Sequence, residues 1–398
     1  MEIVKAKIAA LTHMRGERYI SCYTNRLFYL VKGMTKYKRV QEWILEALES
    51  GKFKAGDLLP SEGELCELLS VGRNSVRTAL SNLSHAGIVD TKKGVGTFCV
   101  GVRQSGTMTV GFVSLYSQEY IFPRIVQGCN NALSKNGYHL VLTESMEDTK
   151  VERDVLTRLW NRKVDGIILQ PAYDGRDPMN LDLLRDIQLS GIPIMLIDNF
   201  YPGHQFNAVV MNDRAGGRLA ASYLWQRGHR RIGIVYHKNY YPKILRMQGA
   251  LEFLREAGQM ATEDWIIGYN RKKNSGDIKD QISESFAEAA KNDRPFPTAF
   301  VCTNDQEAIE LIRAGRDHGL VFPRDLSIVS FDNSALADLP DLTLTSINHP
   351  SQYMGATAAN LLLEKVRNRE IRTRTVTLIE PELIERNSVT DLRDKTSP

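Results

Sequence analysis

The stretch LLPSEGELCELLSVGRNSVRTALSNL, Leu58 to Leu83, gathers hydrogen-bond donors at one point: Arg73, Asn74, Ser75 and Arg77 follow closely on Gly72. Val76, Ala79, Leu80 and Leu83 recur at i, i+3, i+4 and i+7, the stripe a helix buries, so Arg73, Asn74 and Arg77 face water near its start. Such a helix fits the major groove of duplex DNA, where arginine donates two hydrogen bonds to guanine O6 and N7 and asparagine pairs with adenine. Further on, Lys92, Lys93 and Gly94 open the basic run KKGVG, suited to phosphates or the minor groove. An ordinary solvated helix also carries arginines, but here no acidic residue stands between Glu67 and Asp90 to balance them.

The surrounding elements frame these residues. Tyr37, Val40, Ile44, Leu45 and Leu48 keep helical spacing, with Gly51 as a stop. Ser61 begins SEGE, a capping box for a second helix carrying Leu65, Leu68 and Leu69, and Gly72 or Arg73 opens the third. After Gly87, IVDT and GTFCV are β-prone runs joined by KKGVG, which predicts a hairpin. Three helices and a hairpin predict a winged helix-turn-helix over residues 34–100, followed by a polar, glycine-flanked linker at 101–108. From 109 to 390 the rhythm changes. Apolar runs such as TVGFVSL, DGIILQ, IPIMLID, RIGIVY and TAFVCTND alternate with helix-length segments, which predicts an α/β fold with parallel sheets, helices on both faces and two similar lobes.

The first of these regions, YKRVQEWILEALESGKFKAGDLLPSEGELCELLSVGRNSVRTALSNLSHAGIVDTKKGVGTF, resembles the amino-terminal domain of the GntR family of transcription regulators over its whole length. The resemblance implies that Arg73, Asn74, Ser75 and Arg77 touch operator DNA, with Lys93 and Gly94 at wing positions. Gly72 stands where that family has a Ser or Thr cap, and Gly63 where several members carry a DNA-contacting arginine. Glycine is a tolerable cap, weaker by only a few tenths of a kcal/mol. The remainder, with VDGIIL, GIPIMLID, RGHRRIGIV, FPRDLSIVSFDNS and LTSINHP in order, is similar to the LacI-type sugar-sensing domain, a two-lobed fold like that of periplasmic sugar-binding proteins. A GntR-type head on a LacI-type sensor resembles the L-arabinose repressor group of Bacillus and its relatives, with EYIFPRIVQG, LRMQGA, SINHP and IEPELIERNS as the matching stretches.

A monosaccharide presents hydroxyls that both donate and accept, so its site needs charged or amide side chains and a flat apolar surface. In open α/β lobes these sit at the carboxyl ends of strands. Those ends offer Tyr116, Phe122, Asp198, Arg246, Asn304, Asp305, Asp332 and His349. The resemblance matches Arg246, Asn304, Asp332 and His349 to ligand contacts. Asp305 also fits a cap for the helix DQEAIELIRAG, and Asp198 a tie between lobes.

Composition narrows the class. The chain has 398 residues, 42% hydrophobic and 25% charged, with no run of apolar residues long enough to span a membrane. Cys22, Cys66, Cys99, Cys129 and Cys302 are scattered without a CxxC pair, which suits a reducing cytoplasm and suggests no metal cluster; no cofactor is implied. Residues 1–33 carry Lys5, Lys7, Arg15, Arg18, Arg26 and Lys32 against Glu2 and Glu17, which accounts for the whole net charge of +4. This leader has neither a secretory h-region nor a helical period, and Met34 is the expected true start; a basic arm on DNA is the alternative. G-x-S-x-G, the P-loop and H-E-x-x-H are all missing, against an enzyme. The expectation is a cytoplasmic, homodimeric repressor that binds double-stranded operator DNA and is relieved by a sugar, L-arabinose by resemblance. A regulator with another effector, a solute-binding protein and an α/β enzyme are the rival expectations.

Overall fold

The computed structural model describes residues 35–49, 52–54, 56–85, 88–92, 94–99, 106–118, 120–259, 265–270, 278–338, 342–368 and 373–393. The leader 1–33, most of the linker and Lys93 lie outside the described residues. The chain divides into two compact units, Met1–Arg103 and Gln104–Pro398.

In the first unit, helices α1 (Lys36–Glu49), α2 (Glu62–Leu69) and α3 (Arg73–His85) precede a hairpin of β1 (Val89–Lys92) and β2 (Gly96–Cys99). The capping box forms as the sequence predicts: Glu64 N donates to Ser61 Oγ at 3.3 Å, and Ser61 N donates to Glu64 Oε2 at 2.8 Å. Val76, Ala79, Leu80 and Leu83 are buried with Val40, Ile44 and Leu65, so one apolar stripe per helix builds the core. Leu59 N donates to Thr97 O at 2.8 Å and Cys99 N to Asp57 O at 2.8 Å, which adds the segment before α2 to the hairpin edge. The unit is a winged helix-turn-helix.

The second unit holds two lobes, each a six-stranded sheet with helices on both faces. The first lobe has strand order β13-β7-β6-β5-β3-β4, all parallel: β3 (Thr109–Ser114), β4 (His139–Glu144), β5 (Gly166–Leu169), β6 (Ile194–Ile197), β7 (Asn207–Met211) and β13 (Val376–Ile379). The second has order β14-β12-β11-β10-β8-β9: β8 (Ile232–His237), β9 (Ile266–Tyr269), β10 (Ala299–Cys302), β11 (Ser327–Asp332), β12 (Thr345–Asn348) and β14 (Glu382–Ile384). Burial of every residue in β5, β6, β10 and β11 explains their near-continuous apolar runs.

The described chain passes between lobes at β7 to α7 (Asp213–Gln226), at β12 to α11 (Ser351–Arg367), and at β13 to β14. The third passage departs from the all-parallel expectation, because β14 pairs antiparallel with β12. Carboxyl strand ends of both sheets face the cleft, so a chain running straight from one sheet into the other through Glu380 and Pro381 must enter reversed.

The helices following the first two passages pack unusually close to their neighbours. In the second lobe α7 crosses α8 (Tyr241–Glu256) through Gly217 and Gly249; a Cβ on Gly217 would lie 1.8 Å from Arg246 O, and one on Gly249 1.9 Å from Arg214 O. In the first lobe α11 crosses α4 (Phe122–Lys135) through Gly355 and Gly128, with equivalent approaches of 2.1 Å to Ile125 O and Gln352 O. These crossings fix the helices that carry Arg246 and Phe122. Gly217→Ala is therefore expected to force α7 and α8 apart at a cost of about 1–3 kcal/mol, read as a fall of several degrees in Tm; an unchanged melting curve would contradict the close crossing.

Candidate functional site

On the first unit, Arg73, Asn74 and Arg77 project from the start of α3 and are exposed, while Ser75 is half-buried and its N–H donates to Gly72 O at 3.0 Å. Arg77 Nε donates to Glu62 Oε2 at 2.9 Å, a pairing across 15 residues that the local charge pattern conceals. With both partners this exposed the pair is worth about 0–1 kcal/mol, little against a phosphate or base contact. Lys92, at the turn end of β1, lies over the Phe98 ring at 5.3 Å. Gly94, at φ +78°, supplies the left-handed residue at the hairpin tip.

On the second unit, a cavity of about 490 Å³ opens between the lobes. Phe122 and Asp198 line it from the first lobe, and Arg246, Asn304 and Asp332 from the second, so five sequence-predicted residues converge there. The α10 helix (Asp305–Asp317) starts at its wall. Asn304 Oδ1 accepts Glu307 N at 2.9 Å as the helix cap. Arg246 is held through three of its five N–H groups: Nε donates to Asp213 Oδ1 at 2.7 Å, and Nη1 to Asp332 Oδ1 at 2.8 Å and Thr303 O at 2.7 Å, with Phe331 stacked at 4.7 Å.

Tyr116, Asp305 and His349 do not line the cavity. Tyr116 lies in the turn after β3. Asp305 is buried and its carboxylate accepts from Ser330 Oγ at 2.5 Å, Ser346 Oγ at 3.0 Å, and Ser334 N and Oγ at 2.7 and 2.8 Å, which ties α10 to β11 and β12. His349 sits at the second passage between lobes and donates from Nε2 to Asp198 Oδ1 at 3.0 Å. Asp198 also accepts from Gln170 Nε2 at 2.8 Å and from the Tyr240 hydroxyl, so three donors hold it.

Tyr240, Tyr120, Glu307 and Asp213 are the wall and hinge residues that sequence reasoning missed. Tyr240 reaches from the second lobe to Asp198 in the first. Tyr120 reaches the other way: its hydroxyl donates to Phe331 O at 3.4 Å and accepts from Asp305 N at 3.1 Å. No local pattern marks either tyrosine. Glu307 was findable, since Asn304-x-x-Glu307 is a capping box. Backbone strain gathers at the same place: Tyr120, Glu147, Asp198 and Asp332 have φ of +58°, +58°, +64° and +90°, conformations that cost about 1–3 kcal/mol each and collect at ligand sites.

Comparison with known proteins matches this architecture. Residues 36–99 match the bacterial regulatory proteins of the gntR family, and residues 221–389 a periplasmic binding protein-like domain. The arabinose metabolism transcriptional repressor of Geobacillus stearothermophilus is 30% identical over 91% of this chain and 99% of its own; that of Halalkalibacterium halodurans is 26% identical over 91% and 98%. The chain belongs to this family of sugar-metabolism repressors. It is a transcription regulator and not an enzyme. Among solved structures, the transcriptional regulator CelR in complex with cellobiose shares the fold, with a TM-score of 0.63 at 24% identity over 83% of this chain and all of that one. Among the described residues, no helix is long and apolar enough to cross a membrane.

The repressor's hinge is electrostatically dense, with Asp198, Asp213 and Asp332 around Arg246 and His349. Burial works to raise Asp198, but the His349 hydrogen bond and charge, with the Tyr240 bond, outweigh it and hold the carboxyl at about 2. Burial raises Asp213 to about 6 despite Arg246, and burial with the charge of Asp332 raises Asp305 to about 6. His349 is raised: burial opposes its charge, and Asp198 overcomes that. Ser351 Oγ donates to His349 O at 3.2 Å and lies 2.8 Å from Nδ1. With the hydroxyl hydrogen on His349 O, Nδ1–H donates to Ser351 Oγ and both ring nitrogens are donors, the arrangement that favours the imidazolium in the same direction as Asp198 does.

A histidine raised in the folded state stabilises fully below its unfolded pKa, and the contribution is lost as pH rises through the folded value. Buried His229, lowered to about 4, acts oppositely, so the difference between wild type and a variant isolates His349. The Tm advantage of wild type over His349→Gln is expected to shrink from pH 6 to pH 9; a constant difference would mean that His349 is neutral in the folded protein.

Proposed function

We propose that the protein binds operator DNA as a homodimer in the cytoplasm, with α3 of each protomer in the major groove of one half-site and the hairpin on flanking phosphates. L-arabinose, bound in the cleft between lobes, releases it. The observation that carries this is the cleft: amide, carboxylate and guanidinium groups at strand ends, held between lobes joined by hinge passages. The names of the two arabinose repressors support L-arabinose, and the exposed donors of Arg73, Asn74 and Arg77 support DNA. Sugar held by groups from both lobes favours one lobe arrangement, and operator DNA the other. The two ligands then oppose each other through a single coupling free energy, typically about 1–3 kcal/mol.

Arg73→Ala with Arg77→Ala is expected to lower operator affinity about 100-fold in gel shifts, since each base contact is worth roughly 1–3 kcal/mol, while L-arabinose affinity stays within about twofold. Unchanged DNA binding would remove α3 from the interface. Asn304→Ser keeps an oxygen to cap α10 but removes the amide donor facing the cavity. Calorimetry should show L-arabinose binding weakened about tenfold, the worth of one hydrogen bond to a sugar hydroxyl, with Tm unchanged. Equal affinity would place the sugar elsewhere.

A further inference from the structure

The cavity is longer than one sugar. Its wall runs along α10 from Asn304 through Gln306 and Glu310 to Arg313, roughly 13 Å at 1.5 Å per residue. It also crosses the ends of neighbouring strands β11, β10, β8 and β9, from Asp332 through Asn304 and His237 to Tyr269, about 14 Å at the usual strand spacing. The cavity is thus about as broad across the strands as it is long beside the helix. A pentose has about ten non-hydrogen atoms; were each to claim the ~30 Å³ of a liquid water, the sugar would fill about 300 Å³. Of the 490 Å³ present, more than a third remains.

The outer part of the wall has its own chemistry. Arg313 Nη1 donates to Glu310 Oε1 at 2.6 Å, and nearer the centre Lys243 pairs with Glu307 at 3.0 Å, so the cations there are already neutralised by the wall. The Glu310 carboxylate repels a phosphate at Arg313, whereas a hydroxyl can join such a pair as donor and acceptor. Tyr269, whose ring lies 5.1 Å from that of His237, and Ile278 add apolar surface of the kind a sugar's C–H face packs against.

We propose that the cleft has an outer subsite, formed by Gln306, Glu310, Arg313 and Tyr269, which holds a second, uncharged sugar unit linked to the one at Arg246 and Asn304. This rests on the arabinose reading of the inner site, so the natural probe is a 1,5-linked disaccharide of L-arabinose. Calorimetry on the full chain should show the disaccharide binding at least tenfold more tightly than L-arabinose. Gln306→Ala with Arg313→Ala should abolish that advantage, with L-arabinose affinity within twofold of wild type and Tm unchanged. Binding of L-arabinose without the disaccharide, or equal weakening of both by the double variant, overturns the outer subsite and leaves the inner reading standing. Binding of the disaccharide alone, sensitive to the double variant, supports the subsite and corrects the effector. Binding of neither overturns both.

Discussion

Everything in the sensor converges on the Arg246 guanidinium. It is buried, held between Asp213 at a passage between lobes and Asp332 at the end of a strand, and backed by Phe331. A charge taken out of water is tolerable only with its partners in place, and removing one member of such a set typically costs about 3–5 kcal/mol because the remainder is stranded. The same group is thus a floor for the cavity and a rivet for the hinge. A ligand that draws Asp332 or Arg246 by a fraction of an ångström acts directly on the element joining the lobes, with no relay in between.

The local features of the fold were legible because they are written locally. A Ser-x-x-Glu box, a stripe at i, i+3, i+4 and i+7, and a glycine between two β-prone runs each depend on near neighbours, and α2, α3 and the hairpin form as those patterns require. Arg77 with Glu62 was not legible, since its partner lies on another helix. Asp305 and Asp332 show the limit most sharply. Both are aspartates at strand ends in the same lobe, but Ser330, Ser334 and Ser346 surround one while the other faces the cavity. Only the packing of three strands and a helix distinguishes them. The tyrosines that cross the cleft belong to the same class, because a contact between lobes has no signature in either lobe's own periodicity.

The conformational strain at the cleft explains why this geometry is kept. Left-handed backbone at Tyr120, Asp198 and Asp332 turns each side chain away from the path its strand or turn would otherwise give it. The sheets and the two glycine-mediated helix crossings hold these residues in place, so polar groups are aimed before any sugar arrives. Little ordering is then left for the binding step itself.

Tyr120 and Tyr240 cross the cleft in opposite directions, each anchored in one lobe and bonded in the other. Their consequence is mechanical. Any separation of the lobes must break both bonds, so the two tyrosines bias the hinge toward the arrangement in which they are made. A sugar seated between the lobes meets both side chains in the wall, so what it does to either bond it does to the hinge.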